Sequence, residues 1–192
     1  MPCFFLGMTD TGKTTIKLVM ILAAAGADVH ADDATRRLVV SIPDRKIALI
    51  EAGRVVKVYP VAVGAAGTPS PHGSFHVASR VVRPTWYQPG KVVGPGPANP
   101  LGTRWIGLGY KGYGIHGTNI PLSIGKAASH GCIRMRNRDV EELFGLVQVG
   151  DGVELVSEVS PELARAFAQG PGSTVSPAEA TTPAVSDGGD GQ

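Results

Sequence analysis

From Leu38 onward the apolar positions fall into short runs separated by Gly, Pro, Asp and Ser, the pattern of strands joined by tight turns. Leu38–Ile42 reads as one strand, Pro43-Asp44-Arg45 as a turn, Ile47–Ile50 as a second strand, and Ala52-Gly53 as the turn into a longer one, Val55–Val63. Proline has no N–H to give a ladder, so Pro60 is expected at a sheet edge or a bulge. Gly64–Gly73 is a loop of Gly, Thr, Pro and Ser that leads to a strand predicted over Phe75–Val82. Pro84–Gly102 has little periodicity, and a segment of that length without its own elements is usually a lid, a binding loop or disordered. Within it, Trp86 is either a cleft residue or a core plug. Arg104–Leu108 and Tyr113–His116 read as short strands. Helical spacing appears only after Asn137, which is expected as an N-cap. Val140, Leu143, Phe144 and Val147 then share one face, and Asp139, Glu141 and Glu142 favour the positive N-terminal end. Val149–Gly152 turns into a last strand, Val153–Val156. A short helix is expected after Pro161 through Ala164–Ala168, and from Gly170 the composition predicts disorder. The pattern is that of a mainly β domain over residues 38–157, preceded by a linker at 32–37 and followed by a short helix and tail at 158–192.

Composition narrows this without changing it. A chain of 192 residues with 43% hydrophobic content has room for one well-packed domain plus tails, and 26 glycines, 15 prolines and 6% aromatics suit turn-rich β structure. The net charge of +2 hides an uneven distribution, because no acidic residue lies between Glu51 and Asp139 while Arg54, Lys57, Arg80, Arg83, Lys91, Arg104, Lys111, Lys126, Arg134, Arg136 and Arg138 all do. Such a stretch favours an anionic substrate or is a solvated basic surface. The scattered Trp86, Trp105 and tyrosines form no nucleic-acid recognition motif, so nucleic acid is not expected as a partner.

Residues 1–31 allow two readings. Gly7-Met8-Thr9-Asp10-Thr11-Gly12-Lys13-Thr14 matches the phosphate-binding loop pattern, but that motif needs a parallel βαβ sheet and an acidic Mg²⁺ ligand, and strands and turns without acids follow it. Nucleotide binding is therefore not expected. Read instead as a secretion signal, Lys13 and Lys17 supply the positive region, Ile16–Ala25 the apolar run and Val29-His30-Ala31 a cleavage site; a start at Met8 would shorten the leader and remove half of the loop match. The apolar run is short for a transmembrane helix, and the expectation is an exported protein, periplasmic or associated with the cell wall, without a stable membrane span.

Removal of that leader would take Cys3 with it and leave Cys132 as the remaining cysteine. An unpaired thiol in an oxidising compartment is a liability unless its reactivity is used. Cys132 lies in Ser129-His130-Gly131-Cys132, with His116 upstream, so the thiol has two candidate bases, His116 and His130. Gly131 permits close approach of a carbonyl, and the N–H groups of His130, Gly131 and Cys132 could form an oxyanion hole. His72 and His76 stand four apart, but Gly73 and the prolines before it argue against a helix, so they read as a loop and a strand histidine rather than a metal pair.

Together, His116-Gly117-Thr118-Asn119 and Ser129-His130-Gly131-Cys132 with Arg134 resemble the signature of the L,D-transpeptidases of bacterial peptidoglycan, the YkuD-like domain. The likeness runs from about Leu38 to Val156 and takes in Tyr59–Gly64, Gly67–Phe75 and Asn99-Pro100-Leu101-Gly102. It implies a β-sandwich of mixed sheets with one short helix after the Cys132 loop, and Pro84–Gly102 as a flap over a cleft. It further implies Cys132 as nucleophile and His116 as its base, with His130 the other candidate. The absence of nearby acids leaves a hydroxyl or a backbone carbonyl to orient the imidazole, with Ser129 the expected one, and Arg134 either holds a substrate carboxylate or braces the loop. The implied reaction is acyl transfer from a tetrapeptide stem with release of D-alanine, forming 3→3 cross-links, or L,D-carboxypeptidase action with water as acceptor. No metal, nucleotide or other cofactor is implied. The alternatives are a zinc hydrolase using His116, His130 and Cys132 as ligands, and a non-catalytic wall-binding domain.

Overall fold

The computed structural model describes residues 36–110 and 112–175. The expected leader and phosphate-loop match, most of the linker and the tail after residue 175 lie outside them. β1 (Arg37–Ser41), β2 (Lys46–Glu51) and β3 (Arg54–Pro60) form an antiparallel meander. The β2–β3 turn has two central residues, Ala52 and Gly53, with φ of 48° and 68°. Positive φ at both positions is the turn geometry that matches the twist of paired strands. Pro60 ends β3 at the edge of its sheet, where no donor is required.

β4 (Val63–Gly64) follows, then β5 (Gly73–His76) and β6 (Ser79–Val82). The single strand expected over Phe75–Val82 is thus two strands in different sheets. The chain bends at Val77 and Ala78, and the buried Val77 stays in the shared core while its neighbours change sheets. β7 (Trp86–Gln88) and β8 (Lys91–Val93) form a hairpin inside the segment expected as a flap. At its base the fully buried Asn99 donates from Nδ2 to the carbonyls of Pro84, Val93 and Gly94 at 2.7, 3.1 and 3.0 Å and accepts from Leu101 N–H at 2.8 Å. β9 (Arg104–Gly107), β10 (Gly114–His116), β11 (Ala127–Ser129), β12 (Ile133–Arg134), α1 (Asn137–Leu146), β13 (Gly152–Val156) and α2 (Pro161–Gln169) complete the described elements.

Two mixed sheets face one another. The first has strand order β3-β2-β1-β13-β5, with β1 and β13 parallel, and the second β12-β10-β9-β6, with β10 and β12 parallel. Leu38, Val40, Ile47, Leu49 and Leu155 of the first meet Ile106, Ile115 and Ile133 of the second in one core, closed at the side by Val140 and Leu143 of α1. β1 and β2 are apolar along their whole length because the opposite face of the first sheet is also covered: Val39, Ala48 and Ile50 pack on Leu163, Ala166 and Phe167 of α2. Ser160 Oγ caps α2 by accepting from Leu163 N–H at 3.2 Å.

Two expectations change here. Asn137 is the first residue of α1 rather than its cap; Arg136 holds that position and makes no side-chain cap bond. The disorder expected from Gly170 does not begin there, since Gly172 N–H donates to Val55 O at 2.7 Å, Val55 N–H to Ser173 O at 2.8 Å and Val175 N–H to Gly53 O at 2.7 Å. Backbone pairing along the β3 edge, together with burial of Val175, orders a segment whose composition alone gave no reason for it.

Candidate active site

His116 is delivered by register. In the parallel pair of β10 and β12, Ile115 lies beside Ile133 and His116 beside Arg134. Side chains alternate along strands, so the two isoleucines enter the core while His116, Arg134 and, two residues before Arg134, Cys132 share the other face. Across β9 the partner of His116 is Trp105, whose ring stacks on the imidazole with centroids 5.7 Å apart and planes 22° from parallel. Gly114 makes this possible, because a Cβ there would stand 2.6 Å from the Trp105 ring.

The imidazole is 4% exposed. Its Nδ1 lies 2.6 Å from the carbonyl oxygen of Gly117. A carbonyl can only accept, so Nδ1 carries the proton and Nε2 keeps its lone pair. Burial lowers the imidazole pKa from the usual 6.5 to about 4; the Gly117 hydrogen bond opposes this and the positive Arg134 adds to it. The ring is therefore neutral at neutral pH.

Cys132 is placed by the turn before it. β11 pairs with β4, and Ser129 O accepts from Ala65 N–H at 3.0 Å and from Thr68 Oγ1 at 3.1 Å. Ser129 Oγ donates to Cys132 O at 2.6 Å and accepts from Gly131 N–H at 3.1 Å, closing the Ser-His-Gly-Cys turn on itself. Gly131 has φ of 105°, and a Cβ there would sit 2.7 Å from the Tyr113 ring, so both conformation and space require glycine. Beyond the turn, Arg134 exchanges backbone hydrogen bonds with Ala62 at 2.9 and 2.8 Å, fixing the start of β12. Cys132 is half-buried, with Sγ 3.4 Å from Gly112 O. Burial pushes its thiol pKa up, while the Gly114 backbone and the charge of Arg134 pull it down.

His116, Ser129, His130, Cys132 and Arg134 line one cleft of about 350 Å³, with Trp86, Lys91 and Val93 of the flap hairpin facing them. Trp86 is a cleft residue rather than a core plug. Lys91 Nζ lies over its ring at 5.9 Å. No acidic side chain lines the cleft, so it suits a group with negative charge. His130 is exposed. His72 and His76 are exposed loop and strand residues outside the cleft.

Two expected roles change. The imidazole is oriented by the Gly117 carbonyl, while Ser129 braces the cysteine turn, since both its hydroxyl bonds go to that turn. The Gly131 N–H is taken by Ser129 Oγ, so the N–H groups of His130 and Cys132 are the ones left for an oxyanion. Among the described residues no three His, Cys, Asp or Glu side chains gather as a metal-ligand set, which counts against the zinc alternative built on His116, His130 and Cys132. Trp105 and Lys91 were not singled out from sequence for the site. Cross-strand stacking depends on register, which Trp105 and His116 do not reveal until β9 and β10 are paired.

The chain belongs to the YkuD family: the model of the L,D-transpeptidase catalytic domain matches residues 35–155. A Bacillus licheniformis protein that carries the name L,D-transpeptidase YkuD is 44% identical over 126 residues, 66% of this chain and 68% of its own. Its namesake in Bacillus subtilis is 42% identical over 118 residues, 62% of this chain and 64% of that one. The fold is that of an L,D-transpeptidase from Mycobacterium tuberculosis H37Rv, with a TM-score of 0.56 and 21% identity over 64% of this chain and 58% of that one. The match thus spans under two thirds of that solved chain.

Proposed function

We propose that the protein is a cysteine-dependent L,D-transpeptidase that forms 3→3 cross-links between peptidoglycan stem peptides. The observation that carries this reading is the shared face of the β10–β12 pair. There a thiol, an imidazole with its Nε2 lone pair uncommitted, and an arginine open on one acid-free cleft. In the first step Sγ of Cys132 attacks the carbonyl carbon of the third stem residue while His116 Nε2 takes the thiol proton. The tetrahedral oxyanion accepts hydrogen bonds from the N–H groups of Cys132 and His130. Its collapse breaks the bond to the terminal D-alanine, whose nitrogen receives the proton from His116. In the second step the side-chain amine of another stem attacks the thioester, gives its proton to His116 and displaces the Cys132 sulfur, which is reprotonated. Arg134 and Lys91 supply positive charge for stem carboxylates. Water in place of the amine gives L,D-carboxypeptidase action on the same thioester. The leader-like residues 1–31 support an exported protein, where stem peptides are found.

Incubation of the purified protein with a carbapenem, followed by intact mass, tests the thiol: one covalent adduct is expected, absent in Cys132→Ala. Mixing the enzyme with tetrapeptide stems and measuring muropeptide masses tests the transfer. Dimers that have lost one D-alanine indicate cross-linking and tripeptides indicate hydrolysis, while unchanged stems would refute the reading.

A further inference from the structure

Asn137 is absorbed neither by the helix it begins nor by the reaction. Its Oδ1 accepts from Thr118 N–H at 3.1 Å and Thr103 N–H at 3.4 Å. Both neighbours are donors, so the amide oxygen must face them. Two glycines make room for it: a Cβ on Gly102 or Gly117 would lie 2.1 or 2.2 Å from that oxygen.

The Thr118 N–H and the Gly117 carbonyl belong to one peptide unit. That unit is planar and trans, so its N–H and C=O point in opposite directions and turn together. Asn137 therefore grips one end of the plane whose other end accepts from His116 Nδ1 at 2.6 Å. The same link is electronic, since a peptide whose N–H is engaged has a more negative carbonyl oxygen and is a better acceptor. We infer that Asn137 is a positioning residue for His116: through the Gly117–Thr118 peptide it holds the proton on Nδ1 and so reserves Nε2 as the base. No acidic side chain lines the cleft to do this, and among the described residues the Gly117 carbonyl is the one partner the imidazole nitrogens have. With the peptide released, the carbonyl can swing away and either nitrogen can take the proton, and the tautomer with Nε2–H has no lone pair toward the thiol.

This inference rests on the acyl-transfer reading for its kinetic consequence but not for its spectroscopic one. The imidazole nitrogens of ¹⁵N-histidine-labelled protein report the tautomer directly. Expected are Nδ1–H for His116 in the wild type, a mixture of tautomers in Asn137→Ala, and Nδ1–H again in Asn137→Asp, whose carboxylate oxygen accepts the same two N–H groups. The rate of carbapenem acylation should fall at least tenfold in Asn137→Ala, with circular dichroism and thermal midpoint showing a folded protein, and Asn137→Asp should recover most of it. Nε2–H in the wild type overturns the inference, as does a folded Asn137→Ala with an unchanged tautomer and a rate within twofold of wild type. Should Asn137→Ala fail to fold, the wild-type and Asn137→Asp spectra decide, and a tautomer mixture in the latter overturns it. A wild type that forms no adduct overturns the acyl-transfer reading instead, and is seen without any variant.

Discussion

The neutral imidazole makes a prediction about stability as well as chemistry. His116 is buried against Trp105 with its pKa lowered from 6.5 to about 4, whereas in the unfolded chain it titrates at the ordinary value. Between those two pH values the unfolded state binds the proton and the folded state does not, so folding stability falls as pH falls through that window. Above 6.5 neither state is protonated and the penalty vanishes; below about 4 it is complete. At about 1.4 kcal/mol per pH unit the gap amounts to about 3 kcal/mol, a large share of the stability of a domain this size. The variant His116→Gln removes the titration and can still donate to Gly117 O, and it leaves every carboxylate unchanged. Urea unfolding of both proteins at pH 7.5 and 4.0 gives the difference. The wild type should lose about 3 kcal/mol more than the variant over that interval. Parallel losses would refute the reasoning, as would an NMR titration placing the His116 midpoint at 6 or above.

Other perturbations follow from the same geometry. Gly131→Ala forces an L side chain to φ of 105° and its Cβ to 2.7 Å from the Tyr113 ring, so a loss of about 1–3 kcal/mol in chemical denaturation should accompany loss of the carbapenem adduct. Ser129→Ala leaves the buried Gly131 N–H without its acceptor, at about 1–3 kcal/mol, and frees the cysteine turn; the acylation rate should drop by about tenfold or more while the free-cysteine titre stays at one per described chain. Removing residues after Gly170 deletes three backbone hydrogen bonds to the β2–β3 turn and β3, so the thermal midpoint should fall while the acylation rate at 25 °C is unchanged, because that edge is remote from the cleft in the strand order.

Much of this was legible in the residues before any coordinates. Apolar runs bounded by turn residues located β1, β2, β9, β10 and β13 within a residue or two, because strand period and tight-turn chemistry are local properties. The cleft residues Cys132, His116, His130 and Arg134 were found by chemistry, and the flap by the absence of periodicity. What stayed hidden depended on pairing. Phe75–Val82 looks like one strand until its halves find partners in different sheets, and β3 orders residues 172–175 through backbone bonds that any sequence could make. The roles of Ser129 and Asn137 were misread for one reason. Both are residue types that cap and orient locally, and the partner chosen by each oxygen is settled by which N–H groups the fold brings near.

Burial acts on the two partners of the site in opposite directions, with one outcome. It raises the thiol and lowers the imidazole, so the charged pair is disfavoured from both ends and the resting site holds SH beside neutral His116. In the proposed reaction a thiolate standing free in the cleft is therefore not the starting point. Proton transfer to Nε2 must proceed as the C–S bond forms, so that the negative charge appears on the substrate oxygen, beside N–H donors, rather than on sulfur. The imidazolium made at that moment is stabilised by the oxyanion it faces and by the Gly117 carbonyl behind it. Its weak affinity for the proton then favours delivery to the departing amine. A neutral resting pair also explains why Arg134 can stand next to an imidazole: it costs nothing while the ring is uncharged, and it favours the sulfur's negative charge whenever the thioester releases it.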